Sequence, residues 1–188
     1  MSGTSTIDKT IAASGTKPAS FNLMRWIREN EDKLRPPTAA HTIFTLDDFM
    51  VTVVGGPNQR TDYHVNPTEE FFFQLKGDMT LRIQHEGKPY DVKITEGSIY
   101  TLPGNVPHSP VRPEGTVGLI VERVRKGELL DTHRWYCENC NNVLFEKTAH
   151  IEVLERDMPP IFEAYYSNPQ NQVCKACGNV NAGRPARK

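Results

Sequence analysis

Two sets of side chains in this 188-residue sequence have the types and spacing to bind metal. The first is His64, Glu70 and His108. His64 and Glu70 flank the Asn66-Pro67 turn, and His108 follows much later, behind Pro103-Gly104-Asn105-Val106-Pro107. Two neutral imidazoles and one carboxylate fill half of an octahedral shell. The other half stays open for substrate and dioxygen, which is the donor set of mononuclear non-haem iron(II) oxygenases. The second set is Cys137-x-x-Cys140 and Cys174-x-x-Cys177, with 33 residues between them and no other cysteine in the chain. Two such knuckles offer four thiolates to a tetrahedral zinc or a single iron. A closed tetrahedral shell leaves no position for substrate, so this second site is expected to be structural. Asn141 and Gly178 follow the knuckles, and both residue types tolerate the positive φ that turns backbone N–H groups towards sulfur. His41, His85, His133 and His150 read as surface or hydrogen-bonding residues.

Ligands of a single internal metal must come from facing strands and point inward, and the sequence supplies strands of the right kind. Phe49-Met50-Val51-Thr52-Val53-Val54 is a β-branched run that stops at Gly55-Gly56. Glu70 to Leu75, Met79 to His85, Tyr90 to Ile94, Ser98 to Leu102 and Val117 to Val124 follow, separated by Gly and Pro turns. Short strands punctuated this way predict an all-β sandwich or barrel. Helical spacing covers Phe21 to Arg35, ended by Pro36-Pro37, and a short segment near Ile161 to Tyr166. Three parts are expected: a disordered segment over 1–20, a catalytic barrel over 21–127, and a metal-clipped unit over 128–188 with a Pro159-Pro160 hinge.

Composition narrows the function classes. Hydrophobic residues make up 37% and the net charge is −1, with Lys and Arg dispersed. A core is available, and no clustered basic face points to nucleic acid. No apolar run approaches the roughly 18 residues of a membrane span, and the N-terminal stretch lacks the apolar region of a signal peptide. A cytoplasmic protein with no membrane partner is expected, in keeping with cysteines that bind metal instead of forming disulfides.

Gly56, His64, Glu70 and Gly77, then Gly97, Pro103 and His108, resemble the two cupin motifs in order and residue type. Asp62 stands where most metal-binding cupins carry a further histidine, and the stretch from His64 to Glu70 is slightly longer than usual. The loss of that ligand converts a three-His, one-Glu shell into a two-His, one-Glu shell and opens a coordination position. Val53 to His64, Glu69 to Gly77, Pro107 to Pro113 and Val121-Glu122-Arg123 resemble the 3-hydroxyanthranilate 3,4-dioxygenases. The likeness runs from about Phe21 to the end of the chain, including the Cys tail of bacterial members.

The resemblance implies a cupin barrel, a double-stranded β-helix or jelly roll, with a short N-terminal helix and a C-terminal tail. It implies Fe2+ at His64, Glu70 and His108, with dioxygen as co-substrate. At Cys137, Cys140, Cys174 and Cys177 it implies rubredoxin-like iron, and zinc is equally tenable chemically. The implied reaction opens the ring of 3-hydroxyanthranilate to 2-amino-3-carboxymuconate semialdehyde. That product cyclises to quinolinate, a precursor of NAD in the kynurenine route.

Arg60, Glu70, Arg112 and Glu122 are the residues expected to meet the substrate and act in catalysis. Arg112 lies four residues after His108, and its planar guanidinium suits a carboxylate through two hydrogen bonds. Arg60, four before His64, is assigned to the substrate carboxylate or the bound oxygen. Glu122 interrupts an apolar strand with the parity of Ile120, and a carboxylate facing a barrel interior needs a partner or a function. Asp62 is read as orienting Arg60 or a ligand imidazole. Ala40 departs from members that carry Asn in that loop. No residue of the chemistry is expected beyond Glu122. Cupin barrels often pair through edge strands, which favours a homodimer. Two alternatives stand beside this reading: a cupin dioxygenase for another aminophenol or catechol, and a non-enzymatic ligand sensor with a zinc-ribbon tail.

Overall fold

The computed structural model describes residues 20–36, 39–58, 60–127, 129–152 and 154–184. Apart from Ser20, the segment expected to be disordered lies outside the described residues. The chain enters through helix α1 (Leu23–Glu29), whose first turn is capped by the Asn22 side chain accepting the Arg25 N–H at 2.9 Å. The helical spacing continues to Arg35, but the helix stops at Asn30 and gives way to a tighter 3-10 turn over Glu31–Leu34. Asn30 ends it by donating from its side chain to the Trp26 carbonyl at 2.8 Å and from its backbone to the Ile27 carbonyl at 3.3 Å. Those bonds satisfy carbonyls that a continuing helix would use.

Among the described residues eleven strands follow: β1 (Ala40–Thr45), β2 (Phe49–Gly55), β3 (Tyr63–Val65), β4 (Glu70–Lys76), β5 (Met79–His85), β6 (Lys88–Ile94), β7 (Ile99–Leu102), β8 (His108–Val111), β9 (Val117–Arg123), β10 (Asp131–Tyr136) and β11 (Val143–Ala149). One sheet has the order β1-β2-β9-β4-β7 and the other β11-β10-β3-β8-β5-β6, and the pairings are antiparallel. From β2 to β9 the chain passes repeatedly between the sheets, with β2, β4, β7 and β9 in one and β3, β5, β6 and β8 in the other. That winding is a jelly roll, or double-stranded β-helix. The turn from β5 to β6 is tight, with φ of 50° at Glu86 and 74° at Gly87. Pro89 is tolerated in β6 because that strand is an edge.

Alternation builds the interior. On β4 the inward row is Glu70, Phe72 and Gln74, and on β5 it is Met79, Leu81 and Ile83, all buried. Phe72, Met79, Leu81, Ile83, Ile94 and Leu102 form the barrel core. A second cluster packs Ile27 and Leu34 against Ile43, Val53 and Val117, which fixes the N-terminal helix to the first sheet.

Strand β10 pairs with β3, so the segment after Gly127 extends the second sheet. Helix α2 (Leu154–Tyr166) covers this extension, with Ile161 and Tyr165 buried against Trp135. Trp135 and Tyr165 stack at 4.4 Å between centroids. The Pro159-Pro160 pair, expected to form a hinge, lies inside this helix. Two prolines remove two helical N–H donors, and burial of the aromatic cluster beyond them offsets that loss. Among the described residues no helix is long and apolar enough to cross a membrane.

Candidate metal centre

Strand register assembles the first metal set. On the second sheet His133, His64 and His108 lie directly across from one another on β10, β3 and β8. On the first sheet Glu70 pairs with Glu122 across β4 and β9. Residues opposite each other on paired strands share a face, so a histidine row faces a carboxylate row across the barrel. The His108 Nε2 lies 3.3 Å from Glu70 Oε1, and the His64 Nδ1 lies 3.7 Å from the same oxygen. The ligand atoms of His64, Glu70 and His108 all fall within 4.8 Å of one another, a spacing that one ion can bridge.

The far side of each ring is occupied. His64 Nε2 meets Asp131 Oδ1 at 2.6 Å, and His108 Nδ1 meets the Val106 carbonyl at 3.1 Å. Each acceptor holds a proton on that nitrogen and leaves a lone pair on the nitrogen facing Glu70. Burial, with the nearby Arg60 charge added against the Val106 hydrogen bond, pushes His108 down to about 4. Burial also lowers His64, against its hydrogen bond to Asp131. Neutral imidazoles are the form that binds metal, so the donor set and its protonation fit a divalent ion.

Around the triad the polar groups are linked in chains, with His133 Nε2 left as a buried atom without a hydrogen-bond partner. Asn66 donates to Glu70 Oε1 at 2.9 Å and to Glu122 Oε2 at 3.1 Å. Burial and then the charge of Glu70 raise the Glu122 carboxyl above its ordinary value. Arg60 donates twice to Asp62, at 3.0 and 2.7 Å. Asp62 Oδ2, which accepts from Arg60 Nη2, also accepts from His133 Nδ1 at 2.9 Å. Burial pushes Asp62 up, but Arg60 and His133 outweigh it and hold the carboxyl far below the usual range.

Arg112 is placed apart. Its guanidinium donates to Gln74 Oε1 at 3.0 Å and lies over Gly118, where an added Cβ would stand 2.7 Å from Nη1. Gln74 and Gly118 are paired across β4 and β9, four residues along from Glu70 and Glu122. At about 3.3 Å per residue that is roughly 13 Å deeper along the barrel. Burial alone lowers Arg112 to about 10, and among the described residues no carboxylate pairs with it. Ala40 sits at the start of β1, paired with Val54, and contributes to none of these hydrogen bonds.

The four cysteines form a second cluster whose sulfurs also fall within 4.8 Å of one another. The Cys137–Cys177 and Cys140–Cys174 separations are 3.6 and 3.5 Å. A tetrahedral ion with metal–sulfur bonds near 2.3 Å requires sulfur–sulfur edges of about 3.8 Å. The two knuckles are built alike: Asn141 N donates to the Cys137 carbonyl and Gly178 N to the Cys174 carbonyl, with φ of 60° and 74°. Backbone and side-chain hydrogen bonds from Asn142 push the Cys140 thiol down to about 6.

Three residues of this site escape the sequence reading. Asp131, Arg125 and His133 are buried, and His133 stacks on His64 at 5.1 Å and 10°. The signal available was the Asp-x-His-x-Trp alternation of residues 131–135, in which every second residue is buried.

The fold and donor set define a class: a double-stranded β-helix with two histidines and one carboxylate converging on a single metal position. The family model described as 3-hydroxyanthranilic acid dioxygenase matches residues 16–166. A 3-hydroxyanthranilate 3,4-dioxygenase of Shewanella woodyi is 45% identical over 170 residues, covering 90% of each chain. That of Ruegeria pomeroyi is 44% identical over 167 residues, covering 88% of this chain and 93% of its own. Among solved structures, a cupin-2 domain protein of Shewanella frigidimarina is similar at a TM-score of 0.39 and 19% identity, over 45% of this chain and 78% of that one. The chain belongs to the 3-hydroxyanthranilic acid dioxygenase family.

Proposed function

We propose that this chain opens the ring of 3-hydroxyanthranilate with dioxygen at one iron(II) held by His64, Glu70 and His108. The product is 2-amino-3-carboxymuconate semialdehyde. The observation that carries the reading is the triad itself: two neutral imidazoles, each anchored through its far nitrogen, converge on one carboxylate oxygen in a chain of this family. Iron(II), when bound there, acidifies the substrate's phenol and supplies the redox chemistry with dioxygen. The two alternative readings of the sequence gain no support from the comparisons.

The chain's own groups orient the substrate and handle its protons. Arg60 is fixed on Asp62 and is 29% exposed, so it keeps outward donors for a substrate carboxylate at the entrance. Arg112 holds a buried positive charge deeper on the same inward face. Its unpaired charge lends the barrel interior a positive field, which favours an anionic aromatic over a neutral one. Glu122 stands beside Glu70 with a raised pKa, and a carboxyl tuned upward accepts the proton that a phenol releases. The cysteine cluster is assigned a structural ion, iron or zinc.

His108→Ala tests the assignment. It removes the only ligand on β8 and should abolish both iron retention and turnover. A variant that kept stoichiometric iron at this site and a normal rate would exclude the triad.

A further inference from the structure

The groups behind His64 form a closed circuit, and their role rests on the reading that His64 is a metal ligand. Asp131 is 1% exposed and meets His64 Nε2 at 2.6 Å, its shortest hydrogen bond. Arg125 grips the same carboxylate, with Nε 3.1 Å from both oxygens and Nη2 2.9 Å from Oδ1. That Nη2 also donates to Glu122 Oε2 at 2.8 Å, while Nη1 donates to the Arg123 carbonyl at 2.8 Å. Glu122 leads through Asn66 to Glu70, whose oxygen faces His64 Nδ1. The circuit therefore passes through two ligands of the triad, and its far corner is a side chain on β10. Asp131 touches neither the ligand-facing nitrogen nor Glu70, so its one direct contact with the triad is His64.

We propose that Asp131, locked in place by Arg125, is a positioning residue of the metal centre. It holds the proton on His64 Nε2, turns Nδ1 towards the ion and strengthens that nitrogen as a donor. A purely structural Asp131–Arg125 pair would not need His64, because Arg125 is already satisfied by Asp131, Glu122 and the Arg123 carbonyl. The strand that carries Asp131 presents His133 and Trp135 on the same buried face, and the buried Cys137 directly follows it. The segment holding the cysteine cluster thus also completes the catalytic centre.

The test uses the full chain, with Co2+ as the probe and a chelator in competition. Dissociation constants are read for wild type, Asp131→Ala and Asp131→Asn, together with the visible ligand-field bands of the triad cobalt. Cobalt in the cysteine cluster is separated by its sulfur charge-transfer absorption. Asp131→Ala should weaken binding about 10- to 100-fold and shift the bands. Asp131→Asn keeps the shape and an acceptor oxygen, so it should fall between Ala and wild type. In a His64→Ala background Asp131→Ala should cause a much smaller loss. Wild-type affinity and bands in the variants would overturn the proposal, even with a lowered melting temperature. An undiminished loss in the His64→Ala background would overturn it too. Should Asp131→Ala fail to fold, unchanged affinity and bands in Asp131→Asn are decisive by themselves. A wild-type chain that binds no cobalt at the triad would instead remove the functional reading beneath the proposal.

Discussion

Metal-free protein should lose stability as the pH falls from 6.5 towards 4, and His108 should account for much of that slope. Burial is the main cause, aided by the nearby Arg60 charge and opposed by the Val106 hydrogen bond, and it takes the imidazole from its ordinary 6.5 to about 4. In the unfolded chain this ring gains its proton near pH 6.5, but in the native barrel it stays neutral until about pH 4. The unfolded state binds more protons between those values, so stability rises with pH across the window and is lost on acidification. At about 1.4 kcal/mol per pH unit, the shift is worth about 3 kcal/mol. Asp62 and Asp131 are held low, so the stability they add is present above the ordinary carboxylate value and disappears only below it. Glu122 is raised and acts in the opposite sense, favouring the folded state as the pH falls through its folded value. A comparison with His108→Gln, whose side chain does not titrate, cancels these shared contributions. The assay is urea unfolding of both proteins with the triad metal removed, at several pH values between 4 and 7.5. The stability of wild type relative to the variant should fall by about 3 kcal/mol across the window. Parallel curves would refute the claim that His108 is held neutral by its surroundings.

Replacing Arg112 with Met should leave stability unchanged or raise it, because a buried guanidinium without a carboxylate partner is costly. The same change removes a positive charge from the barrel interior and should weaken binding of 3-hydroxyanthranilate, through its carboxylate, by roughly 1 kcal/mol. 2-Aminophenol, which lacks that group, should lose much less, and equal losses would remove Arg112 from substrate recognition. Ser in place of Cys174 and Cys177 should release the tail ion and lower the melting temperature. Metal should then also be held less firmly at the triad, since Cys137 directly follows the strand that carries Asp131 and His133. Activity per bound triad ion should survive within a few fold, and a loss of several orders of magnitude with that ion in place would show that the tail metal takes part in the reaction.

Much of the barrel was legible because its strands alternate. Met79-x-Leu81-x-Ile83 alternates against polar neighbours, and the parity of Glu122 with Ile120 placed that carboxylate inside. Strand β4 did not show its inward face: Phe71, Phe73 and Leu75 are apolar as well, yet the buried row is Glu70, Phe72 and Gln74. Strands β3 and β8 could not be read this way. They are three and four residues long, and their inward members include His64 and His108. A polar inward face erases the apolar alternation on which strand recognition rests. Strand β10 was hidden for the same reason, since Asp131 and His133 take buried positions that apolar residues usually fill. Its pairing with β3 joins residues about 70 positions apart, a contact that local pattern does not encode. The reach of Arg112 was likewise invisible: the depth at Gln74 and Gly118 comes from how β4 and β9 pair.

The most direct measurement loads the protein with iron(II) under anaerobic conditions, quantifies the ion at the triad, and adds 3-hydroxyanthranilate with dioxygen. The account predicts a ring-opened chromophore whose rate of appearance scales with triad iron, with one dioxygen consumed per product, and no such signal from His108→Ala. Iron bound at the triad without ring opening, or ring opening that persists in His108→Ala, would contradict it.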